Sequence, residues 1–136
     1  MAYQFEFDAA NRILRCRWDG EVTDECLKDC YSALKKHAML TKPRAGILDF
    51  SGVTAFRVAS RTVQELARSA PSLADPSVPR IVVAPAPVVF GVARMFQVIG
   101  EETRPNLQVV RCADEAYTRL GVESPHFEKL QPIEPG

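Results

Sequence analysis

Apolar residues alternate with polar ones at the start of the chain, where Gln4 and Glu6 separate Tyr3, Phe5 and Phe7. A period of two marks a strand with one covered face. After a turn over 8–11, Leu14, Cys16 and Trp18 alternate with Arg15 and Arg17. This predicts a second strand, the hairpin partner of the first, closed by Asp19-Gly20. The period then changes. Leu27, Cys30, Tyr31, Leu34 and Ala38 follow at helical spacing behind Thr23, a residue suited to an N-cap, with Asp24 and Glu25 where the helix dipole favours anions. Lys35, Lys36 and His37 suit the opposite end, and Lys42-Pro43 stops the helix.

Residues 45–50, AGILDF, show little alternation, which suits a strand covered on both faces. That run ends on Asp49 and a Ser51-Gly52 corner, opening a loop over 51–60. Val63, Leu66, Ala67 and Ala70 recur at i, i+3, i+4 and i+7, with Thr62 and Glu65 spaced as a capping box. Beyond Pro71 the pattern predicts a strand over 80–84, a helix over 88–102 with Pro87 at its first position, a strand over 107–111 and a helix over 113–120 closed by Gly121. The order β-β-α-β-α-β-α-β-α predicts an α/β domain over 1–122, a mixed sheet with an N-terminal antiparallel hairpin and helices packed on it through right-handed crossovers. Residues 123–136 carry three prolines and read as a loose or draped tail.

Composition narrows the function. The 136 residues make one domain, and 46% hydrophobic residues suffice for its core. Seventeen basic residues balance 17 acidic ones. This argues against nucleic acid as a partner, because such binders carry a basic excess, and it leaves little charge to keep copies apart. No apolar run reaches the ~20 residues of a membrane span, and no signal peptide is recognisable, so the expected location is the cytoplasm with Cys16, Cys26, Cys30 and Cys112 reduced. Cys26, Cys30 and His37 share a helix flank. Yet eleven residues of helix rise ~16 Å from Cys26 to His37, too far for one metal ion. Cys16 reads as core. There is no G-x-S-x-G, G-x-G-x-x-G or P-loop, so neither a cofactor nor a catalytic residue is assigned.

The segment LDFSGV followed by a helix, within this element order, resembles the STAS domain, the fold of anti-sigma-factor antagonists. In that family a strand ending in D-x-S-G-V leads into a loop whose Asp-Ser-Ser-Gly carries a serine phosphorylated by a kinase. Asp49, Ser51, Gly52 and Val53 match the motif. Arg57-Val58-Ala59-Ser60 replace the Asp-Ser-Ser-Gly, and the phosphoserine position falls on Val58, which has no hydroxyl. The stretch ARMFQVIGEETRPNLQVVR, 93–111, is similar to small bacterial proteins described as STAS-like or SEC14-like. The resemblance implies the fold and a regulatory role without the phosphoserine switch.

Two regions are candidate sites. Asp49, Ser51, Thr54 and Ser60 stand at the carboxyl end of a strand, where ligands of such sheets gather, with Arg57 to supply charge selectivity. The alternative there is a self-capped turn. On helix 88–102, eight apolar residues sweep an arc of roughly 220°, twice what packing on one sheet requires. The surplus must lie under the tail, against a second copy or around an apolar ligand. Phe90, Arg94, Gln97 and Glu101 make the opposite stripe. The first function this supports is a non-catalytic domain acting through protein contacts as a homodimer. The second is a small-molecule or lipid-binding module between loop 51–60 and helix 88–102, walled by Phe56, Phe90 and Phe96.

Overall fold

Each helix and strand forms where its side chains find cover, and the sheet supplies that cover on two faces. The computed structural model describes residues 2–133. The chain runs β1 (Tyr3–Asp8), β2 (Ile13–Thr23), α1 (Asp24–Thr41), β3 (Ala45–Arg57), α2 (Ser60–Arg68), β4 (Arg80–Val83), α3 (Pro87–Ile99), β5 (Leu107–Val110), α4 (Ala113–Leu120) and β6 (Glu128–Lys129). The six strands form one sheet in the order β5-β4-β3-β2-β1-β6. β1 pairs antiparallel with β2 and β6, whereas β2, β3, β4 and β5 pair in parallel. The mixed sheet with an N-terminal hairpin is therefore as the sequence predicts.

One face carries Leu14, Cys16, Trp18, Phe50, Val82 and Val109 beneath α1, α2 and α3. The other carries Ile13, Ile47, Ile81, Val83 and Val110 beneath α4. The absence of alternation in AGILDF thus has its physical cause: β3 lies inside the sheet with apolar layers above and below. Asp8 shapes the hairpin turn by accepting from the backbone N–H of Asn11 at 3.0 Å and from its side-chain amide at 2.8 Å. Thr23 is the N-cap of α1 and accepts from the N–H of Cys26 at 3.2 Å. Among the described residues, no helix is long and apolar enough to cross a membrane.

Several boundaries differ from the sequence reading. β2 does not close at Asp19-Gly20 but continues to Thr23, and β3 runs on to Arg57, so most of the predicted loop 51–60 is strand. The two extensions pair with each other, which neither stretch reveals alone. α2 starts at Ser60 without a side-chain cap of its own, so Thr62 and Glu65 form no capping box. Instead the carboxylate of Asp24, at the start of α1, accepts from the N–H of Ala59 at 2.9 Å. Hydrogen bonds from Thr62 and Ala59 hold the Asp24 carboxyl below its usual range. α3 ends at Ile99 rather than at 102, with Gly100 at its C-cap. His37 lies inside α1, buried with its ring 4.4 Å from that of Phe5, and not in the last turn. Part of the tail is tied to the sheet edge: β6 pairs with β1, and Leu130 donates its N–H to Phe5 O at 2.9 Å. The last three residues of the predicted tail, 134–136, lie outside the described residues.

Candidate functional site

β3 divides at Asp49. Its first half pairs with β2 on one side and, over 46–49, with β4 on the other. β4 ends opposite Asp49 at Val83, and from Gly52 onward β3 pairs with β2 alone. The Asp49 side chain is buried, and its Oδ1 accepts from the N–H of Ser51 at 2.9 Å. The carboxylate thus satisfies an amide just where the β4 ladder has run out.

Ser51-Gly52 is not a turn, since the chain stays extended through it. Glycine is required at 52 for a different reason. A Cβ there would sit 2.8 Å from the carbonyl oxygen of Trp18 and would overlap the carboxylate of Asp19. The register of β2 against β3 shifts twice here, between Arg17 and Asp19 and between Gly20 and Glu21, with Gly20 at φ +79°. Such irregularities re-aim a strand pair. Beyond them Phe56 turns onto the helix face and meets Phe50 edge-on, ring centroids 6.4 Å apart.

The nine candidate side chains do not gather into one site. Asp49 serves its own strand end. Ser51, Thr54, Arg57 and Ser60 are exposed, and Arg57 pairs with Glu21 at 3.3 Å in solvent, an arrangement worth little. Phe56 and Phe96 do meet. With Val89 and Val92 they wall an apolar cavity of about 50 Å³ between the end of β3 and α3. Phe90 is not part of that wall. It lies half-buried under Arg111, whose guanidinium carbon is 3.9 Å from the ring centroid, so its cation partner is Arg111. Arg94 is exposed and donates to Gln97 Oε1 at 3.0 Å.

The polar stripe expected on α3 is corrected in the same way. Phe90 and Gln97 lean towards β5, where Gln97 donates to the carbonyl of Leu107 at 2.8 Å. The outward face of α3 instead carries Val88, Gly91, Arg94, Met95 and Val98. Val88 is 68% exposed and Val98 65%. The surplus apolar surface of this helix therefore faces outward, and the described residues of the tail, where β6 pairs with β1 at the far edge of the sheet, do not cover it.

Other polar groups escaped the sequence reading. On the α4 face Arg15 pairs with Glu6 at 3.1 Å, donates to the Tyr117 hydroxyl at 2.7 Å, and stacks 3.8 Å from the ring centroid of Phe127. Burial pushes the Tyr117 phenol above its usual range, against the pull of Arg15. Hairpin register was a usable signal for the first contact, because Glu6 stands opposite Arg15. Nothing comparable signals Arg80 and Arg104, which are both buried. Cys16 and Cys30 touch in the core with sulfurs 3.4 Å apart. Burial pushes the Cys16 thiol far up, so it stays protonated.

This sheet order and helix placement define a STAS fold. The chain superposes on the anti-sigma factor antagonist SpoIIAA in its unphosphorylated form with a TM-score of 0.57 and 16% identity, over 88% of this chain and 98% of that one. On the Bacillus cell fate determinant SpoIIAA in its phosphorylated form the TM-score is 0.55 at 19% identity, over 88% and 99%. At these identities the likeness is one of fold. No family model and no curated protein matches the sequence.

Proposed function

We propose that the chain is a non-catalytic regulatory STAS-like domain that acts through protein contacts, pairs with a second copy of itself through the outer face of α3, and lacks a phosphoserine switch. The observation that carries this reading is the pair of exposed valines at 88 and 98, with Met95 between them on one helix face. Isolated exposed apolar residues are ordinary, but a helix stripe of them favours a partner. Equal numbers of acidic and basic residues allow that partner to be a second copy. The fold is that of a protein described as an anti-sigma factor antagonist, which supports a role in partner binding. Val58, at the position the resemblance assigns to the phosphoserine, is half-buried against the core and offers no hydroxyl. Size-exclusion chromatography with light scattering on the full chain tests the pairing. A two-fold mass is expected, and a mass that stays monomeric as the protein is concentrated would refute it.

The second reading is a small-molecule or lipid-binding module. It is favoured by the cavity that Phe56 and Phe96 share. At about 50 Å³ the cavity is a third of the ~150 Å³ void that takes up benzene in an engineered protein, so it suits a short apolar group and a larger ligand requires α3 to shift. Native mass spectrometry of protein purified from cells checks this reading, and a spectrum with no co-purifying ligand argues against it.

A further inference from the structure

Two guanidinium groups lie buried at the N-terminal ends of the parallel strands, away from Asp49 and from the outer face of α3. Arg80 opens β4 and is 8% exposed; Arg104, just before β5, is 5% exposed. Among the described residues neither joins an ion pair. Buried charges ordinarily have a partner of opposite sign, because taking an ion out of water is costly.

The contacts these arginines do make are with neutral acceptors. Arg104 Nη1 donates to Ala67 O at 2.8 Å and to Thr103 Oγ1 at 3.1 Å. Its Nη2 donates to Leu66 O at 3.1 Å and Ser69 O at 3.3 Å, so the group caps the end of α2. Arg80 Nε donates to Val78 O at 3.2 Å and Nη2 to the backbone O of Asp75 at 2.6 Å, while Nη1 donates to no described residue. The Asp75 carboxylate turns away to Ser77, accepting from its N–H at 2.9 Å and its hydroxyl at 2.7 Å. Carbonyls satisfy donors but carry no net charge, so two positive charges remain. Burial holds the Arg80 guanidinium below its usual range, and Arg104 adds to the effect.

Tyr31 does not neutralise them. Burial pushes its phenol up even though both arginines pull it down, so the group stays an O–H donor. That hydroxyl bonds to no described residue. Tyr31, Arg80 and Arg104, with Ser72, form the polar part of the wall of one otherwise apolar cavity of about 50 Å³. At roughly 10–15 Å³ per water on this measure, it holds about four oxygen-sized atoms.

We infer that this cavity binds a small oxyanion, a carboxylate or phosphate group, held by Arg80 Nη1 and the Tyr31 hydroxyl in the joint field of Arg80 and Arg104. Charge-assisted and paired donors of this kind suit either group. The oxyanion is either a free ion or the anionic end of a larger molecule. The second source has support because the apolar cavity beside Phe56 shares Tyr31, Leu48, Val82 and Phe96 with this one.

Thermal unfolding of the full chain, titrated at pH 7.5 with sodium phosphate, acetate or hexanoate against chloride at matched ionic strength, tests the site. The expected result is a saturable rise in the unfolding midpoint with phosphate or acetate. A larger rise with hexanoate than with acetate assigns the site to the anionic end of an apolar molecule, and equal rises assign it to the free ion. Arg80→Met should weaken the response at least about tenfold, and Tyr31→Phe about threefold, from the loss of a charged and a neutral hydrogen bond. No rise above chloride overturns the inference. So does an undiminished response in Arg80→Met or, if that variant does not fold, in the near-isosteric Tyr31→Phe.

Discussion

Replacing Gly52 with Ala adds one methyl group where β2 and β3 press together. The new Cβ would lie 2.8 Å from the Trp18 carbonyl oxygen and would overlap the Asp19 carboxylate. The Asp19 side chain is largely exposed and can move, but the Trp18 carbonyl is backbone beside a fully buried ring. Overpacking of this kind costs about 1–3 kcal/mol. Unfolding entropy of about 2.1 cal/mol/K per residue gives roughly 0.29 kcal/mol/K for 136 residues, so the midpoint should fall by about 4–10 °C. The alternative has the opposite sign. Gly52 is not at positive φ, so if nothing pressed on it Ala would stabilise by ~0.4–1 kcal/mol through the unfolded chain. Gly91 provides that control, because a Cβ there meets no atom within 4 Å. In the middle of α3, Gly91→Ala should raise the midpoint by about 2–3 °C. Circular-dichroism melts of the dilute protein read both variants. A Gly52→Ala midpoint equal to or above the parent's would refute the close approach of the strands as the reason for glycine.

Val98→Glu should reduce the light-scattering mass from two copies to one, and should leave the melting midpoint unchanged at a dilution where the parent is also monomeric, because residue 98 is 65% exposed; retention of the two-fold mass places the pairing elsewhere. His37 is buried against Phe5 and burial lowers its pKa, so the unfolded chain takes up the proton more readily than the folded one. Its contribution to stability is therefore present above the unfolded value near 6.5 and is lost as pH falls below it. Melts at pH 7.5 and 5.5 should show a loss on acidification that is smaller in His37→Gln, and an equal loss in the variant would exclude His37 as its source. Phe127→Ala removes the ring that stacks on Arg15 and packs beside Tyr117, at a cost of about 1–2 kcal/mol. Limited proteolysis should then cut within 123–133 sooner than in the parent, and unchanged cleavage would show that β6 pairing alone retains the tail.

Much of the fold was legible because its causes are local. Period-two alternation needs only one covered face, so the hairpin of Tyr3, Phe5, Leu14, Cys16 and Trp18 appears in the sequence. Thr23 caps α1 through an N–H three residues away, and Pro87 starts α3, both within one turn of chain. AGILDF announces a doubly covered strand by its lack of alternation. The site was less legible because its contacts join distant segments. The second half of β3 reads as a loop until the second half of β2 comes alongside, and Gly52 reads as a turn residue until the Trp18 carbonyl is in place. Phe56 and Phe96 were placed together, but the orientation of Phe90 depends on Arg111, and the outward turn of Val88 and Val98 depends on where α3 sits on β5.

Three features lie beyond any local pattern. β6 is two residues long, too short for a periodic signal, and exists because the β1 edge has free ladder groups. Asp24 caps a helix that starts 36 residues later. No local pattern marks Arg80 or Arg104 as buried, and only tertiary packing encloses both beside Tyr31. The sequence by itself thus determined which segments are strand or helix and which faces they bury, since side-chain period and capping act over a few residues. The tertiary structure decided which charges are buried and which apolar face is left in solvent, because burial is a property of neighbours that the chain brings together only when it folds.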